Sequence, residues 1–192
     1  MKEFIDEDRK TSMEFYDIQD SITEDNIPPV IKNLKKLINK DRFYFDPYLL
    51  LADIFERIGK KDESEKIITD AYDRALELVT EKSGQWPEKL EWGWLENRHI
   101  IRTFVNMGLL YWKKNKTLEA YSLFQKLLET NPNDNAGVRY FMLAILEKMS
   151  EKEFNKRFDK GGYWDNEIDN WFDGKVKNHK KEFNNWLELY GE

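Results

Sequence analysis

Apolar residues in this chain recur every three or four positions, which is the spacing of one face of an α-helix. A clear example follows Pro28 and Pro29, where Ile31, Leu34 and Leu37 share a face. Proline suits the first turn of a helix, because its missing N–H has no partner there. The alternation of apolar and polar residues that marks a strand is hard to find. The pattern therefore predicts an all-α protein.

Proline, glycine and asparagine divide this pattern into successive helices. Asp46-Pro47 opens one helix and Gly59 closes it, and a further helix starts at about Asp62. A break at 83–87 follows. The helices predicted after it cover roughly 96–114, 117–130, 136–149 and 151–159. Asp134 or Asn135, both of which come after the stop at Asn131-Pro132, is expected to cap the helix that begins near residue 136.

A 34-residue spacing relates several of these helices to one another. The positions that carry it are Phe104, Met107-Gly108, Tyr111, Ala120, Phe124 and Pro132. The spacing returns 34 residues later, from Val138 to Phe158, and 56 residues earlier, from Tyr48 to Ile68. Small residues let two antiparallel helices approach closely, and large ones fill the gaps. A generic helical bundle is the alternative, and the recurrence argues against it.

This pattern resembles that of the tetratricopeptide-repeat superfamily. The resemblance implies an antiparallel helix-pair solenoid, a right-handed superhelix whose pairs stack because one pair cannot cover its own apolar face. Residues 92–98, Arg102 and residues 131–140 also resemble a signature of a group of uncharacterised bacterial tetratricopeptide-repeat proteins. That second resemblance implies a shared detail of the fold and no known activity.

The chain is expected to divide into a lead, a repeat region and a cap. The N-terminal lead (1–27) is acidic and is predicted to be partly ordered, either as an interaction arm or as a loose terminus with a short amphipathic turn. The repeat region (28–162) contains core repeats at 45–78, 101–134 and 135–160, with an aromatic insertion at 79–100. The C-terminal cap (163–192) is predicted to consist of helices that cover the last repeat.

Composition and charge exclude several classes of function. The chain has no Cys and only two His, so thiolate chemistry and Cys-ligated metals are excluded, and we expect no metal site, no cofactor and no enzyme. Residues 1–26 account for the whole net charge of −6, and the remainder is balanced, so no basic stripe suggests nucleic acid. No apolar run reaches the length of a membrane span, and no secretory signal is visible, so we expect a cytoplasmic protein.

The resemblance implies a concave groove that binds a protein or peptide. We predict that its lining includes Asp53, Arg102, Asn106, Leu109 and Arg139. Arginine can hold a carboxylate through two parallel hydrogen bonds, so an acidic peptide is one candidate ligand. The alternative is that Glu96 or Asp134 pairs with these arginines inside the structure. We predict a non-enzymatic adapter or scaffold.

The aromatic insertion leaves two interpretations open. Trp86, Trp92 and Trp94 lie within nine residues, and they are either an anchor for a partner or a plug that fills the gap the insertion opens. A pocket there, with Glu96 and Arg98, would instead suit a small enzyme or a small-molecule binder. A third hypothesis is a homo-oligomer, a structural subunit that self-assembles through the aromatics of the cap.

Overall fold

The computed structural model describes residues 3–190. Within that range the chain forms ten α-helices and no β-strand. The helices are α1 (Ser12–Asp20), α2 (Ile27–Lys40), α3 (Asp46–Arg57), α4 (Lys61–Val79), α5 (Arg98–Lys113), α6 (Thr117–Thr130), α7 (Val138–Leu146), α8 (Glu151–Phe158), α9 (Glu167–Val176) and α10 (Lys180–Tyr190). The predicted lead and cap extend to residues 1 and 192, and these terminal positions lie outside the described residues. The predicted all-α fold with packed adjacent helix pairs is confirmed.

The chain divides into two compact units between Met107 and Gly108. In the first unit, α2 buries Val30, Leu34 and Leu37, which fall on one face at helical spacing. These side chains join Leu51 of α3 in one apolar core. Leu34 and Leu37 of the predicted face are buried, whereas Ile31 is only half-buried and Val30 is buried beside them.

Helices α3 and α4 form a closely packed antiparallel pair. Gly59 ends the first helix in the left-handed region at a φ of 79°, a conformation that glycine adopts without a steric cost. Ser64 is buried and donates a hydrogen bond from its hydroxyl to the carbonyl oxygen of Ala52 at 2.8 Å. Ala71 and Ala75 are fully buried on the same helix. Small side chains along this contact let the two backbones come together.

The insertion between α4 and α5 has little regular structure, but it is packed. Leu90 is completely buried, and Trp86 lies against Phe104 with ring centroids 4.7 Å apart. A short 3₁₀ turn at Leu95–Asn97 then leads directly into α5. The insertion thus ends at the first turn of the helix that carries most of the predicted groove residues.

In the second unit, Gly108 allows a close approach of the Phe124 ring. A Cβ placed on Gly108 would overlap this ring, whose Cζ atom would lie 2.7 Å away. Phe124 in turn packs against Phe141 at 5.2 Å between ring centroids. Phe141 is 5.4 Å from Phe154, which continues the aromatic core into α8. The glycine and the phenylalanine that carry the repeat spacing are therefore in direct contact.

Two helices of the second unit begin at side-chain caps. Asp134 accepts hydrogen bonds from the backbone N–H groups of Val138 at 2.7 Å and Arg139 at 3.2 Å, so it caps α7 as expected. Ser150 and Glu153 form a reciprocal capping box at the start of α8. Among the helices of residues 3–190, none combines the length and apolar character needed to cross a membrane.

Candidate functional site

Helix α5 presents a polar row on one face. Arg98, Arg102 and Asn106 are spaced four residues apart, so their side chains project from the same side of the helix. All three are half-buried, which leaves part of each side chain open to solvent. This row is the starting point of the candidate site.

Arg102 is held in place by Asp46 at the start of α3. Its Nε and Nη2 atoms both donate to Oδ1 of Asp46, at 3.1 and 2.7 Å, and Nη2 also donates to Oδ2 at 2.7 Å. The Arg102 side chain nevertheless remains 41% exposed. The ion pair orients the guanidinium and still leaves a large part of it at the surface.

The other predicted groove residues of the first unit lie on the same two helices. Asn106 donates one amide hydrogen bond to the carbonyl oxygen of Arg102, and a side-chain amide can form further hydrogen bonds through its second N–H and its oxygen. Asp53 is exposed on α3 and forms an ion pair with Arg57 at 2.9 Å. Asp46 and Arg102 join the two helices, and we call the surface at this contact, with Asp53 further along α3 and Asn106 one turn further along α5, the α3–α5 face.

Leu109 and Arg139 belong to the second unit. Leu109 is half-buried. Arg139 donates to Oδ2 of Asp134 at 2.9 Å, and its guanidinium also contacts the Tyr140 hydroxyl. The pairing of Asp134 with an arginine, which the sequence left as an alternative to a free groove arginine, is thus present.

Aromatic rings surround the Arg139 guanidinium. Its Cζ lies 4.0 Å from the Tyr140 ring centroid, 5.6 Å from that of Phe172 and 5.4 Å from that of Trp186. The last two rings come from α9 and α10, so the cap supplies them. Arg139 is therefore engaged within its own unit on its charged side and on its flat faces.

The three tryptophans of the insertion occupy different environments. Trp86 is half-buried against Phe104, as described above. Trp92 lies beneath two guanidinium groups, with the Cζ atoms of Arg98 and Arg102 at 5.4 and 5.8 Å from its ring centroid. Trp94 is 43% exposed, and its indole N–H donates to Oε1 of Glu3 at 3.1 Å. The insertion thus combines a half-buried indole, one stacked under arginines and one exposed.

Arg98 is the arginine with the fewest protein acceptors in this row. Its Nε donates to the carbonyl oxygen of Trp92 at 3.1 Å, and no acceptor for its Nη atoms is found among residues 3–190. It lines a cavity of about 440 Å³ together with residues of the lead and of α3. The remaining lining residues are Glu7, Asp8, Arg9, Ser12, Tyr16, Tyr44, Asp46, Leu95, Glu96, His99 and Arg102.

A buried polar cluster beside this cavity was not found by sequence reasoning. Asp6 accepts a hydrogen bond at 2.9 Å from Nε2 of His99, whose Nδ1 accepts from the backbone N–H of Phe45 at 3.2 Å. Because a backbone N–H can only donate, this geometry assigns the ring proton to Nε2. Both ring nitrogens of His99 are occupied, so this histidine has no free nitrogen to act as a base.

The residues around Asp6 shift the pKa of its carboxyl group. Burial alone would raise the pKa of Asp6, but hydrogen bonds from His99 and Arg9 and the charge of Arg9 outweigh it and lower the pKa below its usual value. Burial, reinforced by the neighbouring Asp46 carboxylate, raises the pKa of the Tyr44 hydroxyl. Tyr44 is therefore a neutral donor, and its hydroxyl lies 3.4 Å from Oδ2 of Asp46.

The sequence offered only one weak signal for these residues. Asp6 is one of nine acids in the lead, and its partner His99 is 93 positions away. The Arg9 side chain three residues after Asp6 was a weak indication of a local pair. In the part of the chain that the structure describes, no three His, Asp or Glu side chains are grouped to hold a metal ion.

Comparison with known proteins identifies one segment. Residues 101–134 match a family described as tetratricopeptide repeat, and this match supports membership of the tetratricopeptide-repeat superfamily. No curated protein and no solved structure matched the chain. The resemblance to the narrower bacterial group stays a prediction.

Proposed function

We propose that this chain, whose residues 101–134 are a tetratricopeptide repeat, is a non-enzymatic interaction module that binds a peptide or helix of another protein. The repeat itself suggests a protein-interaction module. The finer proposal concerns the place of binding, which is the α3–α5 face in the first unit. Leu109 and Arg139, which the sequence also predicts as groove residues, belong to the second unit and are not part of this face.

The observation that carries the proposal is the half-exposed Arg102 on a repeat helix. A buried arginine in a bidentate ion pair would serve packing, but 41% of this side chain is at the surface. Asn106, one turn further along, donates one amide N–H to the Arg102 carbonyl oxygen, and no second partner for its amide is found among residues 3–190. A peptide backbone needs both a donor and an acceptor, and a carboxylate on the peptide would suit the exposed edge of the guanidinium.

Peptides selected from a display library against the full chain would test this proposal. Arg102→Gln and Asn106→Ala should each weaken the selected peptides about tenfold, which corresponds to the loss of one charge-assisted or buried hydrogen bond. Lys66→Gln removes the same charge from an exposed position on α4 and serves as the matched control. Equal affinity for all four proteins would place the binding surface elsewhere.

A second candidate, the binding of a small molecule, is favoured by the cavity beside Arg98. Glu96 and Arg98 of the insertion line it, as expected for a pocket at this place, but the three tryptophans do not. A panel of small polar metabolites should then raise the melting temperature of the wild-type chain and not that of Arg98→Gln. A panel without effect on the wild-type chain would remove this candidate.

A third candidate, self-assembly, is favoured by exposed apolar side chains at the end of α10. Leu189 and Tyr190 are 66% and 44% exposed. If copies associate through them, Leu189→Lys should reduce the mass measured by light scattering to that of one chain. A single-chain mass for the wild-type protein at high concentration would contradict this candidate.

A further inference from the structure

The segment from Glu3 to Thr11 packs against the rest of the first unit through backbone and side-chain hydrogen bonds. Glu3 pairs with Lys89 of the insertion in an isolated parallel bridge, and the backbone N–H of Phe4 donates to the Lys89 carbonyl oxygen at 2.9 Å. This segment contains no helix. It therefore joins the insertion by strand-like pairing, a mode by which proteins commonly hold peptides.

The Asn97 side chain forms hydrogen bonds with the backbone of this segment on both sides of Ile5. Its side-chain N–H donates to the carbonyl oxygen of Phe4 at 2.9 Å, and its Oδ1 accepts from the backbone N–H of Asp6 at 3.0 Å. Asn97 is completely buried, and it also donates to the Glu91 carbonyl oxygen at 3.3 Å. The amide is thus fixed in the orientation that recognises a peptide backbone.

Two side chains of the segment are recognised individually. The Asp6 carboxylate, only 3% exposed, meets Nε2 of His99 at 2.9 Å. Arg9 is also buried, and its guanidinium lies between Asp6, at 2.8 Å from Nε, and Asp41, at 3.4 Å from Nη1. Asp6 and Arg9 also pair with each other, so the surface contacts this Asp–Arg pair through His99 on one side and Asp41 on the other.

Thr11 is the one other buried position of the segment, and its hydroxyl donates to Oδ2 of Asp41 at 3.3 Å, whereas the positions between Asp6 and Arg9 are exposed. Ile5 is 45% exposed, and Glu7 and Asp8 are exposed as well. Phe4 is half-buried, so the first apolar side chain to enter the core is Phe15, in α1. Polar contacts rather than apolar burial hold the segment in place.

We propose that the surface formed by Asp41, Lys89, Asn97 and His99 is a peptide-binding site for segments of the pattern Asp-x-x-Arg, and that residues 3–11 occupy it in cis. A segment with this pattern on another polypeptide competes with the lead for the same site. The lead also forms one wall of the cavity beside Arg98, so its displacement uncovers that arginine. This proposal does not depend on the α3–α5 face.

The test uses the full chain with its own lead disabled. Asp6→Lys removes the carboxylate that His99 holds, and Asp8→Lys makes the same charge change at an exposed neighbour as the matched control. The probe is a synthetic peptide of residues 1–12 with a fluorophore at its carboxyl end, titrated by fluorescence anisotropy. The Asp6→Lys protein should bind it at least about tenfold more tightly than the Asp8→Lys and wild-type proteins, because the tethered lead competes at a high effective concentration.

Two further arms complete the test. The same peptide carrying Asp6→Lys should not bind the Asp6→Lys protein, and Asn97→Ala added to that protein should abolish binding of the natural peptide. Equal affinity of the Asp6→Lys and Asp8→Lys proteins, or no binding to either, would overturn the proposal. If Asp6→Lys does not fold, Asp6→Ala and Asp8→Ala replace the pair. Loss of the fold in both Asp6 variants would assign the lead to the core and would also overturn it.

Discussion

Replacing Gly108 by alanine puts a methyl group where the Phe124 ring already lies. The added Cβ would be 2.7 Å from Cζ of Phe124, and the ring is completely buried, so it cannot move into solvent. Overpacking of this kind costs about 1–3 kcal/mol. Alanine gains about 1 kcal/mol over glycine inside a helix. We therefore expect Gly108→Ala to lose about 0–2 kcal/mol of unfolding free energy.

Gly174 provides the matched control. It lies within α9, and a Cβ there would meet no atom within 4 Å, so Gly174→Ala should gain up to about 1 kcal/mol. Urea unfolding followed by circular dichroism measures both variants. With a slope of about 2 kcal/mol per molar urea, a 2 kcal/mol difference separates their midpoints by about 1 M.

A double variant identifies the cause of the loss. In a Phe124→Leu background the smaller side chain leaves room for the methyl group, so Gly108→Ala should become neutral or stabilising there. If Gly108→Ala stabilises the wild-type chain as much as Gly174→Ala does, the close approach of Gly108 and Phe124 is wrong. The repeat-type packing of this helix pair would then lose its main support.

Three other changes have defined outcomes. Asp134→Ala should cost about 2–4 kcal/mol in urea unfolding, because it removes the cap of α7 and leaves Arg139 without its buried partner. Ser150→Ala should cost about 1 kcal/mol in the same assay through loss of the capping box. The pKa of Asp6 is lower in the folded than in the unfolded chain, where it is 3.8. Its contribution to the free energy of unfolding is therefore complete above the unfolded pKa and is lost as the pH falls through the folded pKa. The stability difference between wild type and Asp6→Asn should therefore be constant above about pH 5 and shrink below about pH 4; a difference that grows in acid would contradict the assigned contacts.

The helices were predictable because each carries its own signals. Pro47 and Gly59 lie at the two ends of α3, and the apolar spacing of α2 includes two of the three side chains that it buries. The contact of Gly108 with Phe124 was also foreseeable, since a small residue facing a large one is part of the repeat spacing. These features depend on residues within one helix or one helix pair.

The buried cluster of the first unit could not be predicted in the same way. Its contacts join Asp6 to His99 and Phe4 to Asn97 across more than 90 positions, and periodicity carries no information about such pairs. The burial of the tryptophans in the insertion could not be predicted either. The three tryptophans look alike in the sequence, but only Trp94 is largely exposed, because burial depends on which elements fold against each ring.

Photo-crosslinking from position 106 tests whether a partner peptide lies on the α3–α5 face. A photoreactive amino acid would replace Asn106 in one protein and Lys66 in another, and each would be irradiated with a peptide selected against the full chain. The proposed interaction module predicts a crosslink from position 106 and none from position 66. A crosslink from position 66 alone would contradict binding on this face.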